Sequence, residues 1–557
     1  MMPFSSDPKV AEQQMHAIIY YLTAFGYVDG EFDLAERGFL QDFIAKLVRH
    51  RADQAMPDSD PLKEELIGKW TRHFHEVLEG IDHEIRENLR EPTADGEDST
   101  SYALTRLKLR CFELFKQFDE EGRWALLSTA DELIHADGKV HEAEANLRKE
   151  MVALLESPVE IADEEIEEVQ EGVVVVEPAQ SVSVRQNDHP FFSRTEWNYA
   201  ADKETFAQQA ARDVDLLKRA RRQLEDERQR GRGKLGLGHV FADFSGDAPF
   251  MDGHVVVHPP GEKDYELLVL GDLHGCYSCL KAALLQADFF EKVQRYHDAP
   301  DKEPNMLLVL LGDYIDRGRF SYNGILRTVL QLYLTVPQHV IPLRGNHEYY
   351  VELNGRIYGA VRPSEAMASL NMAGDEVFAE YMHLFEALPN LFVFDRLAFV
   401  HAGIPRDDTL AEKFQGLDSL NDPDIRFQML WSDPSQADAV PAELQKQSAR
   451  FAFGKKQFRS FMHKLGCTTM VRGHERVVAG FKEIFSEPDA RLINLFSAGG
   501  AKNEDLPKES NYREVTPMAL TVRRRGGVTQ MAPFAIDYER FNDPEVNAFF
   551  RDKLQAT

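Results

Sequence analysis

The sequence predicts an all-helical domain followed by a larger α/β domain, and three observations carry that expectation. Between residues 14 and 157 apolar side chains recur at spacings of three and four, as in "MHAIIYYLTAFGYV" and "LRKEMVALLE", which is the pattern of amphipathic helices. Residues 158–178, which include "EIADEEIEEVQEGVVVVEP", carry eight acids and no base. So many like charges with little apolar surface read as a solvated linker. From about residue 250 the texture changes to short apolar runs that end in glycine and polar residues and alternate with helical stretches, as strands of an α/β sheet do.

The expected organisation is a helical domain over 1–157, an acidic linker over 158–194, a charged helix and connector over 195–249, and an α/β domain over 250–545. At 557 residues the chain is long enough to bury a full core in each folded part. Lysine and arginine number 64 against 93 acids, a net charge of −29. That balance excludes a general nucleic-acid or anionic-membrane binder, since both need a positive surface. No run approaches the roughly 18 apolar residues of a membrane span. The opening "MMPFSSDPKV" lacks a basic start followed by an apolar core, so no signal peptide is expected. Four cysteines make no disulfide framework, and a reducing, cytoplasmic setting is the expectation.

Within the helical part there is a short internal echo. "YVDGEFDLAERGFL" and "HADGKVHEAEANLR" align Asp29 with Asp137, Gly30 with Gly138 and Glu36 with Glu144. In each copy an Asp-Gly turn precedes an amphipathic helix, and Asp33 with Glu36 suits a capping box. The oxygen ladder of an EF-hand is missing. The echo resembles the paired acidic motifs of the tellurite-resistance (TerB-like) helical domains, which implies a metal ion or a protein partner at this domain. Two capped hairpins packed on each other without any ligand explain the same residues. Further on, Val173–Val176 has the composition of a brief strand, and residues 195–230 read as one charged helix.

The chemistry concentrates at strand ends. "YELLVL" is followed by Gly271-Asp272-Leu273-His274-Gly275, and "NMLLVLL" by Gly312-Asp313-Tyr314-Ile315-Asp316-Arg317-Gly318. "VIPL" leads to Arg344-Gly345-Asn346-His347-Glu348, "LAFV" to His401-Ala402-Gly403, "TTMV" to Arg472-Gly473-His474, and "RLINLF" to Ser497-Ala498-Gly499-Gly500. Ligands of open α/β folds gather beyond the carboxyl ends of strands. Asp272, His274, Asp313, Asn346, His401 and His474 offer oxygen and nitrogen without thiolate, a set that suits Mn²⁺, iron or Zn²⁺. A shared aspartate can bridge two ions ~3.5–4 Å apart. Val351 stands where a zincin helix needs its second histidine, so that protease class is excluded.

In this order, Gly-Asp-x-His-Gly, Gly-Asp-x-x-Asp-Arg-Gly and Gly-Asn-His-Glu resemble the metallophosphoesterases of the phosphoprotein phosphatase (PPP) family. "WSDP" at 431–434, "VRGHE" and "LFSA" extend the resemblance over about residues 265–500. It implies an α/β metallophosphoesterase fold, two packed mixed β-sheets flanked by helices, preceded here by the all-α domain. It further implies a serine/threonine protein phosphatase with two divalent transition metals, Mn²⁺ first, and a metal-bridging hydroxide as nucleophile. Asp272 and His274 would hold the first metal, Asp313 would bridge, and Asn346, His401 and His474 would hold the second. His347, oriented by Asp316, would protonate the leaving group, and Arg317 and Arg450 would bind the phosphate.

Three departures stand out. His401-Ala402-Gly403 replaces the usual His-Gly-Gly, a form similar to bacterial members and to dinucleoside tetraphosphatases. Arg450 directly precedes Phe451-Ala452-Phe453-Gly454, where the family places its arginine several residues earlier. "SAGGAK" replaces Ser-Ala-Pro-Asn-Tyr and loses the tyrosine. Cys276 and Cys279 lie three apart at a helix start, which fits either two buried thiols or a redox pair. Two further readings share the motifs: hydrolysis of diadenosine tetraphosphate at the same centre, and a weakly catalytic metal-bound scaffold whose helical domain does the work.

Overall fold

The computed structural model describes residues 7–27, 34–90, 99–134, 142–156, 174–353, 356–359 and 375–555, together with Ser5 and Phe32. The chain divides into two compact units that do not follow chain order. One comprises residues 1–161 and 435–454, the other 162–434 and 455–557.

In the first unit the three-and-four spacing becomes six helices: α1 (Pro8–Gly26), α2 (Leu34–Ala55), α3 (Lys63–Arg90), α4 (Ser99–Lys116), α5 (Glu120–Ile134) and α6 (Glu142–Glu156). Their apolar faces meet in one core that includes Ile19, Tyr20, Ile44, Leu78, Ile85, Phe112, Phe115, Leu126 and Met151. Segment 435–454 joins that core through Val440, Leu444 and Ala452. On α4, Glu113 accepts from the Ser435 hydroxyl at 2.6 Å and from the Gln436 N–H at 3.2 Å. The sequence reading placed this segment among the α/β motifs, and nothing in its own pattern announces the helical partner. Asp29 and Asp137 of the internal echo lie outside the described residues. Glu36 sits in α2, half-buried, and Glu144 in α6.

The second unit holds two mixed sheets. The first contains β1 (Val174–Val176), β4 (Tyr265–Leu270), β5 (Asn305–Leu310), β6 (Val340–Pro342), β12 (Met518–Arg525) and β13 (Val528–Ala535), in the order β1-β13-β12-β4-β5-β6. The second contains β2 (Phe250–Asp252), β3 (Val255–His258), β7 (Leu391–Phe394), β8 (Leu397–Val400), β9 (Thr469–Arg472), β10 (Phe481–Glu487) and β11 (Ala490–Leu495), ordered β10-β11-β9-β8-β7-β3-β2. The expected Val173–Val176 strand is β1, which pairs parallel with β13.

Strand alternation explains how the layers pack, because successive side chains point to opposite faces. Leu267 and Val269 of β4 and Leu307 and Val309 of β5 meet Phe392, Phe399, Val471 and Ile493 of the other sheet. Leu268, Leu270, Leu308 and Leu310 turn the other way, into a core shared with helices α7 (Lys203–Gly231), α8 (Tyr277–Gln286) and α10 (Arg327–Thr335). α9 (Phe289–Asp298) follows α8 in the chain. The charged helix begins at Lys203 rather than 195. The Asp202 side chain accepts from the Thr205 N–H at 2.9 Å and so caps it. Residues 195–199 are drawn instead onto buried Arg327. Its guanidinium lies 3.3 Å from the Trp197 ring centroid and donates to the carbonyls of Thr195 and Trp197. The same guanidinium pairs with Asp213 of α7, so the connector and its helix are part of this unit's core.

Candidate metal centre

Five turns at the ends of β4, β5, β6, β8 and β9 bring Asp272, His274, Asp313, Asn346, His347, His401 and His474 into one buried cage. The cage is tight enough to require glycine beside the carboxylates. A Cβ on Gly473 would lie 2.2 Å from Asp272 Oδ1, and one on Gly345 2.2 Å from Asp313 Oδ1. The turns are also strained. Among the described residues seven non-glycine positions have positive φ, and five of them are His274 (40°), Asp313 (53°), Asp316 (69°), Arg317 (63°) and His474 (71°). Left-handed backbone at such residues costs roughly 1–3 kcal/mol each and persists only where the surroundings hold it.

Much of the holding is done by Glu348. Its fully buried carboxylate accepts from the N–H groups of Asp313 (2.8 Å), Tyr314 (2.8 Å), Ile315 (3.3 Å) and Gly345 (3.0 Å). Burial, opposed by these bonds, pushes its pKa up to about 7. A second brace is Arg472, fully buried, which donates to Asp433 (3.0 Å), Asn494 (2.9 Å) and Glu475 (2.6 Å). Asp433 in turn lies 3.7 Å from His474 Nε2. The sequence assigned no role to Glu348, Asp433 or Arg472, although each belongs to a quoted motif.

The imidazoles are aimed by backbone carbonyls. His274 Nδ1–H donates to the Ile315 carbonyl at 3.0 Å and His401 Nδ1–H to the Leu311 carbonyl at 2.9 Å. Each ring is thereby left with a bare Nε2 turned into the cage, the way metal-ligating histidines are oriented. His274 Nε2 lies 3.7 Å from Asp272 and 3.5 Å from Asp313 Oδ2, and His401 Nε2 lies 3.4 Å from Asp313 Oδ1. The ligand atoms of His274, Asp313 and His347 fall within 4.8 Å of one another.

Two observations test whether this cage fits cations. Asp272 Oδ2 is buried without a hydrogen-bond partner. The Asn346 amide end lies 2.7 Å from His401 Nε2, 3.1 Å from His474 Nδ1 and 3.2 Å from both Asp313 oxygens. An amide NH₂ has two protons and cannot satisfy that many acceptors, whereas a cation can draw them all. Electrostatics agree. Without a cation, burial, Asp272 and Glu348 push the Asp313 carboxyl well above its ordinary pKa. Burial also pulls His401 down to about 4, keeping it neutral and able to ligate. The donor set therefore fits divalent ions, with oxygen and imidazole nitrogen as ligands.

His347 stands beside the cage in a different role. Its Nδ1 lies 2.8 Å from Asp316 Oδ2, and its Nε2 is 3.8 Å from Asp313. Burial, with His274 and Arg317 nearby, holds the imidazole well below its ordinary pKa, so Nδ1–H donates to Asp316 and Nε2 carries the lone pair. Arg317 is exposed at the cage edge. Arg450 is buried on segment 435–454 and falls in the helical unit. The structure supplies a tyrosine that the sequence reading counted as lost. The Tyr512 ring lies 5.3 Å from His274 and 5.4 Å from Phe496. Cys276 and Cys279 are both buried, and burial with the adjacent Cys276 pushes the Cys279 thiol far up, as in inert structural thiols.

The α/β unit has the metallophosphoesterase fold, and proteins of that class work with divalent metal ions. Residues 265–477 match the calcineurin-like phosphoesterases. Among curated proteins the chain is 28% identical over 269 residues to a probable serine/threonine-protein phosphatase of Encephalitozoon cuniculi, covering 47% of this chain and 52% of that one. It is 28% identical over 239 residues to the serine/threonine-protein phosphatase 4 catalytic subunit of Candida glabrata, covering 42% and 69%. The chain thus spans about half the length of the Encephalitozoon relative. Among solved structures it is similar to a serine/threonine phosphatase from Saccharomyces cerevisiae, with a TM-score of 0.38 and 18% identity over 58% of this chain and 90% of that one. Among the described residues no helix is long and apolar enough to cross a membrane.

Proposed function

We propose that the protein is a metal-dependent phosphomonoester hydrolase that acts on phosphoserine and phosphothreonine in proteins. The observation that carries this reading is the cage, six buried oxygen and nitrogen donors converging beside a histidine–aspartate pair. Asp272 and His274 would hold one ion, Asn346, His401 and His474 the other, with Asp313 shared. Bound there, two divalent ions, Mn²⁺ first, with iron or Zn²⁺ as alternatives, supply Lewis acidity and a water that ionises near neutral pH. His347, held by Asp316 through Nδ1, gives a proton to the departing alkoxide from Nε2. Only the protonated minority of the ring carries that proton at Nε2, and the low pKa makes this form a strong donor. Arg317 grips the phosphate oxygens as their charge shifts, and Arg450 is the second candidate for that task. The helical unit keeps its TerB-like reading as a proposal, with a protein partner or a metal ion as its ligand, in a cytoplasmic protein.

Diadenosine tetraphosphate hydrolysis would use the same cage. It needs in addition a long basic track, and residues 348–400 offer only Arg356, Arg362 and Arg396 against eight carboxylates. Repulsion therefore disfavours a polyanion there. Turnover of a phosphopeptide, diadenosine tetraphosphate and a chromogenic monoester, each with Mn²⁺, iron or Zn²⁺ supplied, tests the choice. We expect kcat/KM for the phosphopeptide to exceed that for the tetraphosphate by at least about tenfold, a difference of ~1.4 kcal/mol in transition-state binding. Equal or reversed preference moves the assignment to the nucleotide. Loss of all turnover-independent metal uptake would point to neither.

A further inference from the structure

We propose that Asp505 is a positioning residue that fixes the loop presenting Arg317 to substrate, an assignment that rests on the phosphomonoester-hydrolase reading above. Asp505 lies in the connection between β11 and β12, where no motif singles it out, and it is fully buried. A buried carboxylate needs a compensating reason to be there. Its partners supply one. Oδ2 accepts from the Ser278 N–H at 2.6 Å and Oδ1 from the Ser278 hydroxyl at 3.3 Å, which ties the connection to the first turn of α8. Among the described residues no lysine or arginine side chain is bonded to it, and burial, only partly offset by Ser278 and the nearby Arg319 charge, pushes its pKa up to about 7. The acid therefore serves as a double acceptor for Ser278 rather than as half of an ion pair.

From that anchor its backbone reaches the phosphate-binding loop. The Asp505 carbonyl accepts from the Arg319 N–H at 2.9 Å, two residues beyond Arg317. Its own N–H donates to Asn503 Oδ1 at 3.0 Å, and Asn503 Nδ2 donates to the Gly499 carbonyl at 2.8 Å, which keeps the connection folded. Asp316 and Arg317 are consecutive left-handed residues, a conformation that relaxes unless both ends are held. One end is held through Asp316 on His347. The other is held by Arg319 on Asp505 and by the Phe320 N–H on the Gly275 carbonyl at 3.2 Å. Loss of the Asp505 anchor would leave the cage intact and let Arg317 wander.

The test is a double-mutant cycle on the full-length, metal-loaded protein, with Arg317→Ala, Asp505→Ala and both together assayed on a phosphopeptide. Asp505→Ala should lower kcat/KM about tenfold in the wild-type background, cost little once Arg317 is gone, and leave metal content unchanged. Asp505→Asn, which keeps an acceptor for Ser278, should recover most of the loss. An equal cost in both backgrounds, or a fully active Arg317→Ala, overturns the assignment. Should Asp505→Ala fold poorly, Arg319→Pro against Arg319→Ala isolates the N–H that the carbonyl accepts. Loss in the proline variant alone supports the assignment, and equal effects overturn it. A wild-type protein that takes up metal and hydrolyses no phosphomonoester removes the underlying reading instead.

Discussion

Each unit buries an aspartate, and the two are treated in opposite ways. Asp82 in the helical unit accepts from the Tyr27 hydroxyl and pairs with Arg37 and Arg86. Burial works against its ionisation, yet Tyr27 and the two guanidinium groups hold its carboxyl below the ordinary range. Asp313 in the cage has acids for neighbours, and burial together with Asp272 and Glu348 drives it the other way. A carboxylate that the chain neutralises for itself is a structural brace. A carboxylate crowded by others, with backbone bonds holding it in place, waits for a cation from outside.

The largest test of that contrast is Asp313→Asn. It should reduce metal content from near two ions per chain and lower activity by more than the ~10–100-fold that partners of metal ligands usually cost. In metal-stripped protein the same change should raise the melting temperature, since it removes the most crowded charge. Mass spectrometry and calorimetry on stripped and loaded samples read both effects, and a stripped variant less stable than wild type would break the comparison.

Next comes His347→Asn. Metal content should hold while kcat falls roughly 10²–10⁴-fold. The loss should shrink on nitrophenyl phosphate, whose leaving group needs little protonation. Equal losses on good and poor leaving groups would remove the acid role.

Asp82→Asn should show the opposite sign from Asp313→Asn. It takes this carboxylate from Arg86 and leaves Arg37 with Glu79, and should destabilise the helical unit by about 1–3 kcal/mol. Chemical denaturation followed by Trp70 and Trp124 fluorescence measures it, and a stabilised variant would contradict the brace.

The smallest effect concerns a third kind of group, half-buried and kept neutral. Burial, Arg426 and Arg228 pull His254 down to about 3, from an ordinary value of 6.5. Between those values the unfolded chain takes up a proton that the folded one refuses, so stability falls as pH falls below about 6.5. His254→Gln should flatten that slope between pH 7 and 5 in urea titrations. An unchanged slope would mean that other groups carry it.

The donor residues of the cage were legible because each follows an apolar strand and all but His401 stand beside a glycine, a pattern written along the chain. The helices of the first unit were legible for the same reason, from spacing. Glu348 was quoted and left without a role, because its partners are four backbone N–H groups that no side-chain pattern reveals. Asp505 was invisible, since it lies in an aperiodic connection and its partner Ser278 is 227 residues away. Tyr512 was missed because the chain supplies the ring from after the expected motif rather than within it. Segment 435–454 was assigned by its neighbours in sequence, while Val440 and Leu444 serve the core of the helices.

That last placement sets a timetable for synthesis. Helices α1 to α6 leave the ribosome well before Val440, Leu444 and Ala452, which join their core and emerge only after roughly 300 further residues. At about 5–20 residues per second the wait is on the order of 15–60 s. Throughout that interval the nascent helices carry an apolar seam with no permanent cover, while the strands of the second unit appear one after another. The last stitch of the helical unit is therefore among the later events of the chain's folding.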